Sequence, residues 1–152
     1  MTATTSYDTD IIAWANEQAR LLRAGLFSQL DIEHIAEEIE DVGKSEQREL
    51  ENRMAVLLAH LLKWQHQSER RGNRWRNTIR DQRERIARRI DKTPSLKADL
   101  EDETWWRGVW ADALDIAVKE TGLFYEAFTD SRTWCFDQIM DVDFWPESRG
   151  EA

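Results

Sequence analysis

A histidine and three acids near the start of the longest predicted helix are spaced so that they could hold a metal ion. Asp31, Glu37 and Glu38 lie three or four positions from His34, and residues at that spacing share one face of a helix. A carboxylate-bridged metal site in a helical bundle needs a Glu-x-x-His motif on each of two helices. Neither of the other two histidines has an acid three residues before it. We therefore predict a solvated acidic helix face, with no metal and no cofactor bound.

Arg53 and His60 form the only other pair whose spacing is typical of a known chemistry. Six residues separate them, which loosely resembles the Arg-to-His spacing of a helical-bundle ribonuclease family that uses such a pair against RNA phosphates. A two-residue motif of this kind recurs by chance in Arg-rich helical proteins. A nucleic-acid-binding protein or a ribonuclease that uses the Arg- and His-bearing helices is therefore the alternative to a non-catalytic interaction module.

A layer of polar side chains is predicted at one level of the helical core. We expect an ion pair between Arg83 and Glu103 that is at least half buried and fixes the register of the helices. His60 should lie within reach of the same layer. Alternatively, the layer lines a small polar pocket for a ligand or for a carboxylate of a partner. The candidate binding residues are Glu38, His60, Lys63, Gln82, Arg83 and Glu103.

The charged residues are segregated along a chain whose net charge is −9. Residues 70–92 contain ten bases and three acids, whereas residues 31–51 contain nine acids and two bases. Such a split indicates either a binding face or charge pairing within the fold. Antiparallel helices would pair most of the bases, as Arg74–Asp112, Arg83–Glu103, Arg85–Glu101, Arg88–Asp99 and Arg89–Glu51. We therefore do not expect nucleic acid as a partner.

The elements that carry these residues are all predicted to be helices. The chain has 152 residues, two prolines, six glycines and no alternating strand pattern. Its fold class is therefore all-α, an up-down bundle of five to six helices with one long central helix. We expect a single helical domain at residues 1–152, ordered at about residues 7–147 with short flexible ends.

Capping signals delimit the first helix, which is expected from Thr9 or Asp10 to Arg23. Asp8 or Thr9 is the expected N-cap and Gly25 the left-handed terminal residue. The long central helix follows at residues 31–67, with a kink at Gly43. The expected core positions of the first helix are Ile11, Trp14 and Leu22; those of the central helix are Ile32, Ile35, Ile39, Val42, Leu50, Met54, Leu57, Leu61 and Trp64.

Three further helices are expected at residues 73–91, 93–121 and 134–141. Short turns make consecutive helices antiparallel, which sets Leu61 against Ile79 and Ile86 against Leu100. The expected core positions are Trp75, Ile79, Ile86 and Ile90 in the first of these helices, and Leu96, Leu100, Trp106, Trp110, Ala113 and Ala117 in the second.

Several short motifs distributed along residues 7–146 together resemble one sequence family. They are Asp10 and Trp14; Leu30-Asp31 with Ile35-Ala36-Glu37-Glu38-Ile39; His60-Leu61-Leu62-Lys63-Trp64; Trp75, Ile79 and Gln82-Arg83; Pro94-Ser95-Leu96; and Phe144 with Pro146. The chain is similar to a bacterial family known only as a domain of unknown function, number twenty-nine. The resemblance implies a helical fold and no established activity.

Composition favours an interaction module over an enzyme. Eight tryptophans are many for a bundle of this size, and tryptophan is favoured at protein interfaces. We expect a cytoplasmic helical interaction or regulatory module that binds a protein partner or a second copy. Cys135 is the single cysteine, which is consistent with a reducing compartment. No apolar run is long enough for a membrane span, and we expect no membrane association.

Overall fold

A computed structural model describes residues 6–148 and contains six α-helices within them. They are α1 (Ile11–Ala24), α2 (Ile32–His66), α3 (Asn73–Lys92), α4 (Lys97–Leu100), α5 (Glu103–Thr121) and α6 (Phe136–Met140). No strand occurs in this range. The predicted all-α fold class and the number of helices are therefore confirmed.

The chain divides into two compact units, residues 1–46 and residues 47–152. We call their described parts the N-terminal unit, residues 6–46, and the C-terminal unit, residues 47–148. Helix α2 begins in the first unit, ends in the second and is uninterrupted at Gly43, so its predicted continuity is confirmed. The kink at Gly43 and the single domain stay predictions, and the expected flexible ends lie outside the described residues.

Helix α1 begins and ends at capping residues. The Asp10 carboxylate accepts a hydrogen bond from the backbone N–H of Ala13 at 3.0 Å, so Asp10 is the N-cap in place of the expected Asp8 or Thr9. Gly25 ends the helix with φ at 74°, as predicted, because a residue without Cβ adopts this left-handed conformation without strain.

The buried face of α1 differs from the predicted one. Trp14, Gln18 and Leu21 are buried, whereas Ile11 and Leu22 are each 47% exposed and their assignment to the core was wrong. Hydrogen bonds explain this choice of face. The Trp14 indole donates to the Asp31 carboxylate at 2.9 Å, and the Gln18 side-chain oxygen accepts from the Asp31 backbone N–H at 2.8 Å.

Three of the four residues in the first half of the α2 apolar stripe are exposed, and the fourth, Ile35, is half-buried. Ile32, Ile39 and Val42 are each 67% exposed, so their predicted place in the core was wrong. In the N-terminal unit, the contacts of α2 are instead made from its polar side. Asp31 bonds to Trp14, and Glu38 accepts a hydrogen bond from the Tyr7 hydroxyl. This polar side lies about a quarter of a turn around the helix from the apolar stripe.

The hydrophobic core of the C-terminal unit is formed by the second half of α2 together with α3, α5 and the C-terminal segment. Its fully buried side chains include Leu50, Met54, Leu57, Leu61, Ile79, Ile86, Trp106 and Trp110. These residues are spaced three, four or seven apart within each helix, which is the pattern that predicted them. The apolar stripe is therefore interpreted correctly in this part of the chain.

Contacts near both ends of the α2–α3 pair agree with the predicted antiparallel arrangement. At one end the Lys63 ammonium lies 4.9 Å from the centre of a Trp75 ring. At the other end Arg89 forms an ion pair with Glu49 at 3.7 Å, close to the predicted partner Glu51. The two helices thus run in opposite directions through the same core, as a short connection at residues 67–72 requires.

The predicted helix at residues 93–121 is interrupted, and this prediction was wrong. Residues 94–96 form a 3-10 turn, α4 ends at Leu100, and α5 begins at Glu103. The Asp102 carboxylate accepts from the Thr104 backbone N–H at 2.9 Å and caps α5. A cap of this kind competes with continued helix, and the Trp106 indole satisfies the Leu100 carbonyl at 2.7 Å.

The C-terminal segment, residues 123–148, packs onto this core with little regular structure. Helix α6 is shorter than the predicted 134–141. Phe128, Trp134 and Ile139 are nevertheless buried in the core cluster, and the Trp110 indole donates to the Thr129 carbonyl at 3.0 Å. The segment is therefore held by side-chain burial and by hydrogen bonds to its backbone.

Gly108→Ala should stabilise the protein by about 0.5–1 kcal/mol, because alanine has the higher helix propensity. Gly108 is exposed inside α5, and an added Cβ would meet nothing within 4 Å. Urea unfolding at neutral pH measures the change.

The matched control is Gly122→Ala, whose added Cβ also meets nothing within 4 Å but whose φ is 74°. This variant should lose about 1 kcal/mol because the left-handed conformation strains a residue with Cβ. Equal effects of the two substitutions would contradict the assignment of α5 and its terminal residue.

Candidate binding site

Arg83 is buried as predicted, but its partners are not the predicted ones. Only 3% of the residue is exposed. Its Nε donates to the Ile139 carbonyl at 2.8 Å, and one terminal nitrogen, Nη2, donates to the Phe144 carbonyl at 2.8 Å. The guanidinium therefore ties α3 to the backbone of the C-terminal segment.

The predicted ion pair between Arg83 and Glu103 was wrong. The side chain of Glu103 is 76% exposed and pairs with Arg132 at 3.1 Å. The Arg132 guanidinium in turn lies 4.1 Å from a ring centre of Trp106. The prediction considered only α2, α3 and α5. The C-terminal segment instead supplies the carbonyl oxygens that accept hydrogen bonds from Arg83.

The charge of Arg83 is compensated mainly by carbonyl dipoles. Burial lowers the pKa of Arg83, and the field of Asp141 opposes this shift. No carboxylate within residues 6–148 forms an ion pair with Arg83, and its remaining nitrogen, Nη1, has no hydrogen-bond partner there. A buried cation without an anionic partner is costly, which makes this site electrostatically receptive to an anion.

Arg83 lines a cavity of about 310 Å³ that we call the arginine pocket. The pocket is lined by Asn73, Arg76, Asn77, Arg80, Arg83, Val142 and Trp145. Each of the first five lies three or four positions from another member of the set, so all five share one face of α3. No acidic residue within the described part of the chain lines the pocket.

One indole lines the arginine pocket beside α3, and a second indole packs against it at an interplanar angle of 42°. Trp145, which lines the pocket, packs on Trp64 with ring centres 4.5 Å apart. The Arg83 guanidinium lies 5.6 Å from a Trp145 ring centre, and that of Arg76 lies 5.2 Å from a Trp64 ring centre. These cation–π contacts hold the arginines near an aromatic surface.

The sequence indicated Arg83 but not the other residues of this pocket. Arg83 and Gln82 occupy a position where the apolar stripe of α3 is interrupted. The spacing of Arg76 and Arg80 on the same face was a usable signal that sequence reasoning missed. Trp145 could not be assigned, because the segment before it has no regular periodicity.

His60 and Lys63, two of the predicted binding residues, line a separate cleft of about 460 Å³. Lys63 is buried and pairs with Glu120 at 2.6 Å. The other lining residues are Arg74, Trp75 and Thr78. The structure thus brings His60 and Lys63 together but assigns Arg83 to a different pocket, so the predicted common layer does not form.

His60 can act as a hydrogen-bond acceptor in this cleft. Its Nδ1 lies 2.9 Å from the Val56 carbonyl, which can only accept, so Nδ1 carries the proton and Nε2 keeps its lone pair. Burial lowers the pKa of His60, and the charge of Lys63 lowers it further, against the effects of the Val56 carbonyl and Glu120. The ring is therefore neutral near pH 7.

The other predicted binding residues lie apart from both pockets. Glu38 accepts a hydrogen bond from the Tyr7 hydroxyl, which raises the pKa of Tyr7 to about 12. Gln82 is half-buried, and its side-chain oxygen has no hydrogen-bond partner among the described residues. Glu103 lines a third cavity, of about 240 Å³, with Arg132. The predicted set is thus distributed over several places.

The predicted neutralisation of the basic helix was wrong in most of its pairs. Of the expected partners of α3, only Arg89 has an ion pair close to the predicted one. Arg74, Arg85 and Arg88 are exposed and form no ion pair with residues of the described range. Side chains on the outer face of a packed helix point to solvent, so antiparallel order alone does not bring them to acids. The expectation about nucleic acid stays a prediction without this support.

The acidic start of α2 forms local pairs. His34 Nδ1 lies 2.7 Å from the Asp31 carboxylate, and the ring stacks on Tyr7 at 4.1 Å. The hydrogen bond to Asp31 raises the pKa of His34, against the effect of desolvation. Across residues 6–148 no group of three or more His, Cys, Asp or Glu side chains is close enough to hold a metal ion. Within the same range no helix is both long and apolar enough to cross a membrane.

The fold and its pockets define a small all-α protein with a basic, donor-rich cavity. The chain belongs to the family described as domain of unknown function DUF29, whose sequence profile matches residues 6–145. The predicted family resemblance is therefore confirmed. No match was found among characterised proteins or among solved structures.

Arg83→Met should lower the free energy of unfolding by at least about 2 kcal/mol, because two carbonyl oxygens lose their donors at about 1–3 kcal/mol each. Glu103→Gln should change it by less than about 1 kcal/mol, since an exposed ion pair contributes little. Urea unfolding of both variants tests this contrast, and a larger loss in Glu103→Gln would contradict it.

His60 and His34 should give opposite pH dependence. His60 binds a proton less tightly in the folded state than in the unfolded chain. Protonation of His60 therefore lowers the stability of the fold as pH falls below about 6.5. His34 stabilises the fold below that pH, and its contribution is lost as pH rises through its raised pKa.

Unfolding in urea between pH 5 and 8 measures both effects. His60→Gln should flatten the stability profile on the acidic side, and His34→Gln should flatten it on the neutral side. The reverse assignment, or titration of both rings at about pH 6.5 in NMR, would refute the two environments.

Proposed function

We propose that the protein is a non-catalytic interaction module that self-associates through the apolar side chains of its N-terminal unit. The observation that carries this proposal is the distribution of exposed apolar residues. Of the eleven large hydrophobic residues exposed among the described residues, eight lie within residues 6–46. They are Ile11, Ile12, Leu22, Leu26, Phe27, Ile32, Ile39 and Val42.

The N-terminal unit buries little of its own apolar surface. Trp14, Gln18 and Leu21 are its buried residues. Isolated helices of this length are marginally stable in water and gain most of their stability from packing an apolar face. Exposed apolar residues concentrated in one region are typical of interaction sites. A partner that covers this surface would supply the missing burial.

A second copy of the same helix suits the stripe on α2. Ile32, Ile35, Ile39 and Val42 alternate at three and four residues, the spacing of the contact positions in a coiled coil. All four are β-branched, which is a common choice at such positions. This spacing favours a helix as the occupant over an irregular peptide.

The residues beside the stripe allow close, uncharged pairing. Ala36 and Gly43 flank it on one side, and a Cβ added at Gly43 would meet nothing within 4 Å. In a parallel pair, Glu38 on the other side would face Gly43 of the second copy, so like charges would not meet. A homodimer is therefore compatible with the acidic composition of this stretch.

The ribonuclease alternative gains no support from the arrangement of its two residues. Arg53 forms an ion pair with Glu49 at 2.8 Å, so its charge is already compensated by a carboxylate. His60 lines a cleft to which Arg53 does not contribute. A cytoplasmic location stays part of the proposal, on the argument that Cys135 is the single cysteine.

Ile39→Lys should weaken dimerisation at least about a hundredfold, because each copy loses a buried isoleucine worth about 1.5–3 kcal/mol and gains a charge. Size-exclusion chromatography with light scattering, over a dilution series, gives the dimer dissociation constant. Wild type should be dimeric at micromolar concentration and Ile39→Lys monomeric.

Phe124→Lys is the matched control, because Phe124 is 81% exposed but lies outside the N-terminal unit. It should leave the dimer unchanged. A wild type that is monomeric throughout the series, or a control that dissociates as much as Ile39→Lys, would overturn the proposal.

A further inference from the structure

The α3 side chains that line the arginine pocket are three arginines, which can only donate hydrogen bonds, and two asparagines. Arg80 donates to the Asn77 side-chain oxygen at 3.2 Å. This bond uses one of the two lone pairs of the Asn77 oxygen and leaves its amide N–H groups available. Arg76, Arg80 and Arg83 carry no acceptor at all. The polar part of the pocket thus offers positive charge and N–H groups.

The start of α3 adds to the positive potential at the same end of the pocket. Gly72 is the N-cap and provides no side-chain hydrogen bond, and no acid lies in the first turn. Asn73, Arg76 and Asn77 of the pocket lie in the first five residues of this 20-residue helix. Neither a capping side chain nor a first-turn acid therefore compensates the positive end of the helix dipole, which lies where the pocket begins.

Arg83 provides the second and independent indication of an anionic ligand. It is buried, its ion-pair partner is missing within the described residues, and its Nη1 is left over after the two carbonyl bonds. Structural arginines in a protein interior are normally paired with an acid. An anion bound in the pocket would complete the environment of this guanidinium.

Taken together, these features lead us to propose that the arginine pocket binds a small phosphate monoester that contains a planar ring in the same molecule, as a nucleoside monophosphate does. The phosphate takes the donors of Arg76, Arg80 and Arg83. The ring lies against Trp145 and Val142, which form the apolar wall. The site is separate from the apolar stripe of the N-terminal unit and does not depend on self-association.

The number and type of donors favour phosphate over carboxylate. One arginine suffices to bind a carboxylate through two parallel hydrogen bonds. Three arginines and an amide suit a dianion with three terminal oxygens, and arginine is the usual residue for planar recognition of phosphate. The cavity of about 310 Å³ is of the size of small-ligand sites, so the phosphate can carry a ring.

Isothermal titration calorimetry of the full chain tests the proposal with four probes: AMP, phenyl phosphate, benzoate and inorganic phosphate. AMP and phenyl phosphate should bind, and each should bind at least about tenfold more tightly than benzoate and than inorganic phosphate. Benzoate tests whether the pocket prefers phosphate to carboxylate, because it carries a carboxylate on the phenyl ring that phenyl phosphate also has. Inorganic phosphate tests whether the ring contributes to binding.

Arg80→Ala is the variant of choice, because Arg80 is exposed and its loss does not strand a buried group. It should weaken AMP and phenyl phosphate binding at least about tenfold, the effect of one charge-assisted hydrogen bond. Arg88→Ala is the matched control: Arg88 is an exposed arginine of the same helix that does not line the pocket. It should bind both probes as wild type does.

The outcomes that overturn the proposal are distinct. Equal affinity for benzoate and phenyl phosphate would exclude phosphate recognition, and equal affinity for AMP and inorganic phosphate would exclude the ring. Equal weakening by Arg80→Ala and Arg88→Ala would indicate nonspecific attraction. Binding of single-stranded oligonucleotides without binding of AMP would replace the small ligand by a nucleic acid.

Discussion

The hydrogen bonds from Arg83 to the Ile139 and Phe144 carbonyls are the constraint on which the C-terminal unit depends. They join α3 to a segment that has little regular structure and cannot satisfy its own backbone. The same bonds bring Trp145 against Trp64 and so create the wall of the arginine pocket. A residue at an interruption of the apolar stripe thus both fixes the fold and shapes a site.

The two units use their helices in different ways. In the C-terminal unit the apolar faces of α2, α3 and α5 are buried together, and polar side chains at the edges form pairs such as Lys63–Glu120. In the N-terminal unit, hydrogen bonds of Tyr7 and Trp14 hold the polar side of α2, and the apolar stripe stays exposed. Burial of apolar faces organises the C-terminal unit, and polar contacts organise the N-terminal unit.

The arginines of α3 are not neutralised by acids of the neighbouring helices in the way that the predicted antiparallel pairing required. Most of the exposed arginines of this helix form no ion pair with an acid of residues 6–148, while Arg76 and Arg80 line a cavity to which no acid of that range contributes. Segregated charge in an acidic protein creates a local field that the net charge conceals. This field is the physical link between the sequence of α3 and the ligand-binding role that we propose.

The sequence by itself determined the family, the all-α class, the continuity of α2 and the core of the C-terminal unit, because helical periodicity and capping are local properties. It also identified Arg83 as a buried polar residue. Only the tertiary structure decided which partners Arg83 has, that α5 begins anew at Asp102, and that Ile32 and Ile39 are exposed. These outcomes depend on competition between distant groups for one donor or one surface, and no local pattern encodes the result of that competition.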